Sequence, residues 1–208
     1  MSASKKPLAI ATRLSSETRQ TQIIETVIAL AAKHSPGQIT TQEIADVIGV
    51  TQGALFRHFP NKESIWLAAI EWVENELLST LEAAAKQAAS PLDGLQQVFF
   101  SHVDFVIARP GVPRLIFNEL QQPADSVIKA AVRRLLQRYR QLVSGLIVAA
   151  AENKEISRKV DVSAAATLFV GSIQGLVMQS MLADNVQAMH QTAEQIFPLF
   201  LRSLKESQ

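Results

Sequence analysis

Apolar residues recur at helical spacing along most of the chain, and the alternation typical of β-strands is absent. The first apolar stripe lies between about Glu17 and His34 and consists of Ile23, Ile24, Val27, Ile28 and Ala31. A much longer helical pattern runs from about Lys62 to Ala89 without Gly or Pro. The pattern therefore predicts an all-α protein of about nine helices, in which the long helix connects two helical units.

The stretch between residues 40 and 62 predicts two short helices joined by a tight turn. Thr40 and Glu43 have the spacing of a capping box, so they are expected to begin the first short helix. Gly49 follows where that helix must end and where the backbone favours positive φ. Thr51 is a good N-cap for the second short helix, and Asn61 for the long one.

The second short helix is expected to point Leu55 and Phe59 inward and to leave its other side chains on different faces. With the preceding helices it forms a three-helix unit. Its predicted core consists of Ile24, Val27, Ile28, Ile44, Ala45, Ile48, Leu55 and Phe59. Two helices with a Gly-containing turn form a helix-turn-helix, which places its second helix in the DNA major groove. DNA binding is the leading hypothesis from this pattern.

The remainder of the chain predicts further helices. Ser90 and Pro91 mark a strong helix start, and the segment 110–113 breaks that helix. Further helices are expected at about 114–121, 124–152, 163–183 and 186–205. The last two are rich in apolar residues, so a second copy of the chain is their expected partner.

Charge is distributed unevenly along the 208 residues, whose net charge is +1. Through Lys62 there are seven Lys and Arg against four Asp and Glu, a modest basic excess where DNA binding is predicted. A basic run at positions 129, 133, 134, 138 and 140 scatters round its helix, which favours a solvated face over a second nucleic-acid surface.

The N-terminal residues 1–16 lack the apolar core of a signal peptide and are interpreted as a flexible tail, the alternative being a basic arm that enters a minor groove. Polar residues interrupt the segment 163–183, so no membrane span is expected. The chain has no Cys, which suits a cytoplasmic location.

Catalytic and metal-binding patterns are absent from the sequence. The four His residues, at 34, 58, 102 and 190, are not clustered, and no Gly-rich phosphate loop occurs. We therefore expect no enzyme activity, no metal and no cofactor.

Polar residues in apolar surroundings mark a candidate ligand pocket in the middle helices. The candidates are Phe99, His102, Arg114, Phe117, Asn118, Gln174 and Met178. For each polar member, the alternative is a hydrogen-bonded group of the core or of an interface.

The segment ITTQEIADVIGVTQGALFRHFPNKESIWLAAIE, from Ile39 to Glu71, resembles the TetR family of bacterial transcriptional regulators. The resemblance covers about residues 17–77. After the flexible tail at 1–16, it implies a helix-turn-helix domain at 17–77 and a ligand-binding and dimerisation domain at 78–208. It also implies a homodimer formed through the last two helices, a palindromic double-stranded operator and usually a small ligand that releases DNA.

The resemblance also implies which residues contact DNA: Thr40, Thr51, Gln52, Gly53, Ala54, Phe56, Arg57, His58 and Lys62. Gln52 suits adenine and Ala54 a thymine methyl, whereas Gly53 permits close approach. Arg57 and His58 are expected at phosphate or guanine, and Thr40 and Lys62 at phosphate. The family often has Tyr where this chain has Phe56, so Phe56 is expected to make van der Waals contact only.

Two functions remain open at this point. The first is a repressor that a small molecule releases from DNA. The second is a scaffold of the same fold that binds DNA and recruits a protein partner without a small ligand.

Overall fold

The computed structural model describes residues 15–205, and all of the regular structure within that range is helical. Residues 1–14 of the predicted tail therefore lie outside the described residues. The helices are α1 (Ser16–Ala31), α2 (Thr41–Val47), α3 (Gln52–Phe56), α4 (Lys62–Gln87), α5 (Pro91–Ala108), α6 (Gly111–Leu120), α7 (Val127–Glu152), α8 (Val162–Leu182) and α9 (Met189–Lys205), with a 3₁₀ turn at Val186–Ala188 before α9. The predicted all-α class is confirmed.

The ends of α2 and α3 are fixed by the side chains that the sequence indicated. Thr40 Oγ1 accepts from the Glu43 backbone N–H at 3.1 Å, and a Glu43 carboxylate oxygen accepts from the Thr40 N–H at 3.5 Å. Gly49 adopts a φ of 70°, a conformation that L side chains disfavour, and this allows the sharp turn. Thr51 Oγ1 then accepts from the Ala54 N–H at 3.1 Å and begins α3.

The core of α1, α2 and α3 closely follows the apolar pattern. Seven of the eight predicted core residues are buried, and Ile48 is partly buried against them. The structure adds Ile23 and Ile39, both of which are fully buried. Ile39 lies outside the helices, directly before the N-cap Thr40 of α2, where helical spacing gives no signal.

Helix α4 connects the two ends of the molecule. Asn61 caps it by accepting from the Ser64 N–H at 2.8 Å, and its 26 residues span about 39 Å. It packs against α1 at one end and against α5 and α7 at the other. Helix α4 is thus a single continuous helix in contact with both units.

Helix α6 begins earlier than the sequence predicted. The segment 110–113 was expected to end the preceding helix, and α5 does end at Ala108, but α6 already starts at Gly111 and includes Val112 and Pro113 in its first turn. Pro is tolerated there because the first N–H groups of a helix have no intrahelical partner. The early start brings α6 against α1, which the sequence pattern did not indicate.

Helices α5, α8 and α9 share an aromatic core. The Phe99 ring lies 5.3 Å from the Phe169 ring and 5.0 Å from the Phe197 ring, measured between centroids. Apolar side chains also remain on the outside of α8 and α9, where Leu182 is 81% exposed and Leu199 55% exposed. Among the described residues α8 is long and apolar enough to cross a membrane by length and composition alone, and buried helices of soluble proteins share that property.

A buried carboxylate connects α4 to α7. Glu74 is 3% exposed, and its carboxylate oxygens accept from Arg134 Nε at 2.9 Å and from Arg138 Nη1 at 3.0 Å. These two arginines belong to the basic run that the sequence favoured as a solvated face. Their side chains are about half exposed, so they keep contact with water while neutralising Glu74.

Candidate nucleic-acid interface and internal cavity

Helix α3 presents most of its candidate residues to solvent. Thr51, Gly53 and Arg57 are exposed, and the Phe56 ring is 39% exposed. Gln52, Ala54 and His58 are half-buried, and Leu55 and Phe59 point into the core, as the sequence predicted. The candidates therefore form one outward surface, whose backbone is fixed by the core beneath it.

Two of these side chains already have partners within the protein. Gln52 Nε2 donates to Thr41 Oγ1 at 2.7 Å, which ties the start of α3 to the start of α2. His58 Nδ1 lies 3.3 Å from Ser16 Oγ at the start of α1. Such contacts preorganise the side chains and reduce the ordering that DNA binding requires.

Lys62 is held where α4 begins. Its ammonium donates to the Gly37 carbonyl at 3.2 Å and lies 4.9 Å from the centre of the Trp66 ring. Partial burial lowers the pKa of Lys62 below its usual value. The side chain therefore positions the loop between α1 and α2, in addition to the phosphate contact expected for it.

A cleft of about 350 Å³ separates α1 from α3. Arg19 from α1 and Arg57 and His58 from the end of α3 line it. The sequence did not single out Arg19, because one Arg in the first turns of an amphipathic helix is unremarkable. In the fold it adds a positive charge beside Arg57, where a polyanion would be attracted.

The outward surface of α3 has the properties that recognition of a DNA groove requires. Among the described residues, no heavy atom outside the adjoining backbone lies within 4 Å of the position that a Cβ of Gly53 would occupy. Exposed hydroxyl and guanidinium groups flank this position and are suited to phosphate oxygens and base edges.

A second candidate site lies inside the C-terminal helices. A cavity of about 80 Å³ is enclosed by α4, α5, α6, α7 and α8. Three of the seven predicted ligand residues, His102, Phe117 and Gln174, line it. Gln174 and Leu120 are exposed, so they mark its opening between α8 and α6.

The other four candidates do not line this cavity. Phe99 is fully buried in the aromatic core, and Met178 is 50% exposed on α8. Arg114 lines a neighbouring cavity of about 170 Å³. The Asn118 side chain faces the loop between α1 and α2, with its Oδ1 4.0 Å from the Cβ position of Gly37. Helical spacing alone does not indicate which face of each helix turns toward the cavity.

His102 and Tyr139 form the polar pair of the cavity. His102 Nδ1 and the Tyr139 hydroxyl oxygen are 3.0 Å apart. Closely packed protein lowers the pKa of His102 to about 4, although part of its surface remains open to the cavity. Burial raises the pKa of Tyr139 well above its usual value. Both side chains are uncharged at neutral pH. The sequence did not indicate Tyr139, which lies within the basic run of α7.

No group of three or more His, Asp or Glu side chains within residues 15–205 is arranged to hold a metal ion.

Two family models match the chain. The model described as bacterial regulatory proteins of the tetR family matches residues 23–69. The model described as the C-terminal domain of tetracyclin repressor-like proteins matches residues 121–196. Together they cover more than half of the chain, at both of its ends.

Curated relatives include the nucleoid occlusion factor SlmA of Haemophilus ducreyi. This relative is 28% identical over 130 residues, which cover 62% of the chain and 64% of the relative. The chain thus matches somewhat less than two thirds of the relative's length.

Solved structures share the fold over most of the chain. A TetR transcription regulator from Haloarcula marismortui has a TM-score of 0.80 and 14% identity, covering 91% of this chain and all of the other. The regulator FadR from Bacillus subtilis, solved with stearoyl-CoA, has a TM-score of 0.77 and 20% identity, covering 87% of this chain and 97% of the other. At these identities the likeness establishes the fold alone.

Proposed function

This chain belongs to the tetR family of bacterial regulatory proteins, and from that premise we propose that it is a transcriptional regulator that binds a palindromic DNA operator as a homodimer. The outward surface of α3 is the observation that carries the proposal. In it Thr51, Gly53 and Arg57 are exposed on a helix that capping and core packing hold in place. A second, symmetry-related α3 would enter the next major groove on the same face of the duplex.

The proposed dimer forms through α8 and α9. Leu168, Met178 and Leu182 on α8, with Leu199 on α9, are about half exposed or more. Exposed apolar side chains concentrated on neighbouring helices indicate an interface, and a two-fold axis would place the same surface of each copy against the other.

The proposed regulation is repression that a small molecule relieves. The cavity wall includes Val112, Pro113, Ile116 and Phe117 of α6, and α6 packs against α1. A ligand that enlarges the cavity would displace α6 and, through α1, change the separation of the two α3 helices. Ligand and DNA would then favour different conformations, so that each weakens binding of the other.

A second candidate function is a DNA-bound scaffold that recruits a protein partner without a small ligand. Relatives named as nucleoid occlusion factors favour it, at 23–29% identity. Release from DNA by a metabolite supports the repressor. Unchanged DNA binding across a metabolite library, with a defined protein bound to the DNA complex, supports the scaffold.

The fold and family are those of transcriptional regulators, which are not enzymes. We propose that this chain likewise has no enzyme activity and that it acts in the cytoplasm, where its DNA target lies.

Selection from a genomic fragment library tests DNA binding directly. Full-length protein is expected to enrich a short palindromic sequence, and Arg57→Ala is expected to enrich it less. Arg158→Ala is the matched control, because Arg158 is exposed in the loop before α8, outside the helix-turn-helix. Recovery of fragments without any shared sequence would contradict operator binding.

A further inference from the structure

Among residues 15–205, those that line the internal cavity include no Asp, Glu, Lys or Arg. Hydrocarbon side chains make up most of the wall, and the polar groups are supplied by His102, Tyr139 and Gln174. With His102 neutral because of burial and Tyr139 protonated, the wall has no charge at neutral pH. A carboxylate or phosphate placed here would lose its hydration without gaining a counter-ion, and this is costly.

The hydrogen-bonding capacity of the wall is also small. His102 Nδ1 and the Tyr139 hydroxyl are 3.0 Å apart and satisfy each other in part. A phenol hydroxyl both donates and accepts, so one further bond remains there, and the Gln174 amide offers others at the opening. These groups match a molecule with one polar end.

We propose that this cavity binds an uncharged, mainly hydrocarbon molecule with one hydroxyl or carbonyl group, and that it discriminates against carboxylates and phosphates. The proposal rests on the proposed ligand-released function and specifies the chemistry of its ligand. The hydrocarbon part would lie against Ile173, Leu135 and Val106, and the polar group against the His102–Tyr139 pair.

A candidate counter-ion for an acid lines a different cavity. Arg114 lines the neighbouring cavity of about 170 Å³ together with Asp184. Val106, Pro113 and Val177 line both cavities and form the wall between them. An acidic ligand would therefore reach Arg114 only if this wall opened, and it would meet the carboxylate of Asp184 there.

The size of the cavity limits the ligand and predicts a movement. About 80 Å³ is well below the roughly 300–1,000 Å³ of typical ligand sites, so a ligand of ordinary size must push the walls apart. The opening lies beside Leu120 of α6, which is exposed, whereas Gln174 lies one turn before Met178 on the α8 surface proposed for dimerisation. Helix α6, with ten residues, is the shortest of the five helices that form the wall, so it is the wall expected to move.

Three probes with the same eight-carbon chain test the proposal: octan-1-ol, sodium octanoate and octyl phosphate. Titration calorimetry on the full-length chain at pH 7.5 is expected to show saturable binding of octan-1-ol. The two anions are expected to bind at least about tenfold more weakly, because each would be desolvated without a counter-ion. Equal or tighter binding of either anion overturns the proposal, and so does the absence of saturable binding by all three.

Two variants on α7 locate the binding site. Leu136→Phe adds a ring to the cavity wall and is expected to abolish octan-1-ol binding. Leu142→Phe is the matched control, because Leu142 is also half-buried on α7 but does not line this cavity. Octan-1-ol binding that survives Leu136→Phe in a folded protein would place the site elsewhere and overturn the assignment. The comparison of the three probes on the unaltered chain stands even if a variant fails to fold.

DNA binding measured in parallel separates the two proposals. A chain that binds its selected operator but binds octanoate better than octan-1-ol refutes the ligand class and leaves the regulator intact. A chain that binds octan-1-ol but no specific DNA refutes the regulator.

Discussion

Gly111 at the start of α6 is in direct backbone contact with Ile28 of α1. A Cβ at position 111 would lie 1.9 Å from the Ile28 carbonyl oxygen and 2.9 Å from the Ala32 backbone nitrogen. Only Gly permits α6 to approach the end of α1 so closely. Because α6 also lines the internal cavity, this contact connects the cavity to α1, whose first turns contact His58 just after α3.

Gly111→Ala is expected to destabilise the fold by about 1–3 kcal/mol, because backbone atoms must move to accept the methyl group. Gly145→Ala on α7 is the matched control. Nothing lies within 4 Å of its Cβ position, so it is expected to be neutral or to stabilise by about 0.5–1 kcal/mol. Urea unfolding followed by circular dichroism measures both. A Gly111→Ala variant as stable as the control would contradict the close contact.

Glu74 binds both Arg134 and Arg138, and removing the carboxylate is expected to cost less stability than removing the two arginines. Glu74→Gln leaves two half-exposed arginines that water can solvate, so a loss of about 1–2 kcal/mol is expected. Replacing both arginines with Met leaves the buried carboxylate unpaired, and a loss of about 3–5 kcal/mol is expected. The same unfolding measurement compares the two variants. Equal losses would show that Glu74 reaches water by another route.

His102 predicts that stability falls in mild acid. Its pKa is about 4 in the folded protein against 6.5 as a free side chain, so below pH 6.5 the unfolded chain binds a proton that the folded one does not. The contribution of neutral His102 to the free energy of unfolding is therefore fully present above pH 6.5. It is lost as the pH falls toward 4, by up to about 3 kcal/mol.

His102→Gln is expected to remove that contribution while keeping a polar partner for Tyr139. Urea unfolding at pH 7.5, 5.5 and 4.5 measures the difference between the variant and the unaltered chain. His190→Gln keeps His102 and is expected to keep its pH dependence. An identical pH profile for all three proteins would contradict the neutral His102.

Gly53 predicts a loss of DNA binding without a loss of stability. A side chain at this position meets no heavy atom of the protein within 4 Å of its Cβ and would project from the exposed surface of α3. Gly53→Leu is therefore expected to unfold at the same urea concentration as the unaltered chain or a higher one. Its affinity for the selected operator is expected to fall at least about tenfold because the side chain obstructs close approach. Unchanged affinity would mean that this surface does not approach DNA.

Local signals in the sequence predicted much of the N-terminal unit. The capping residues and the turn glycine interact only with residues close to them in sequence. The structure confirms the caps at Thr40 and Thr51 and the positive φ of Gly49. The start of α4 at Lys62 was predicted for the same reason.

Contacts between distant segments could not be predicted in this way. The apposition of Gly111 and Ile28 joins positions 83 residues apart, and the pairing of Glu74 with Arg138 joins positions 64 residues apart. Neither contact produces a periodic pattern of apolar residues in the sequence. In the cavity, the rotation of each helix decides which face lines the wall, so His102 was identified while Tyr139 was missed.

The salt dependence of operator affinity tests the central claim most directly. Fluorescence anisotropy would titrate full-length protein against its selected operator between 50 and 200 mM salt, the range over which phosphate contacts change affinity by orders of magnitude. We predict that affinity falls steeply with salt, and that Arg57→Ala weakens binding and reduces the slope by about one, whereas Arg158→Ala changes neither. Affinity that does not depend on salt, or that is the same for a scrambled duplex, would contradict the proposal that α3 reads DNA.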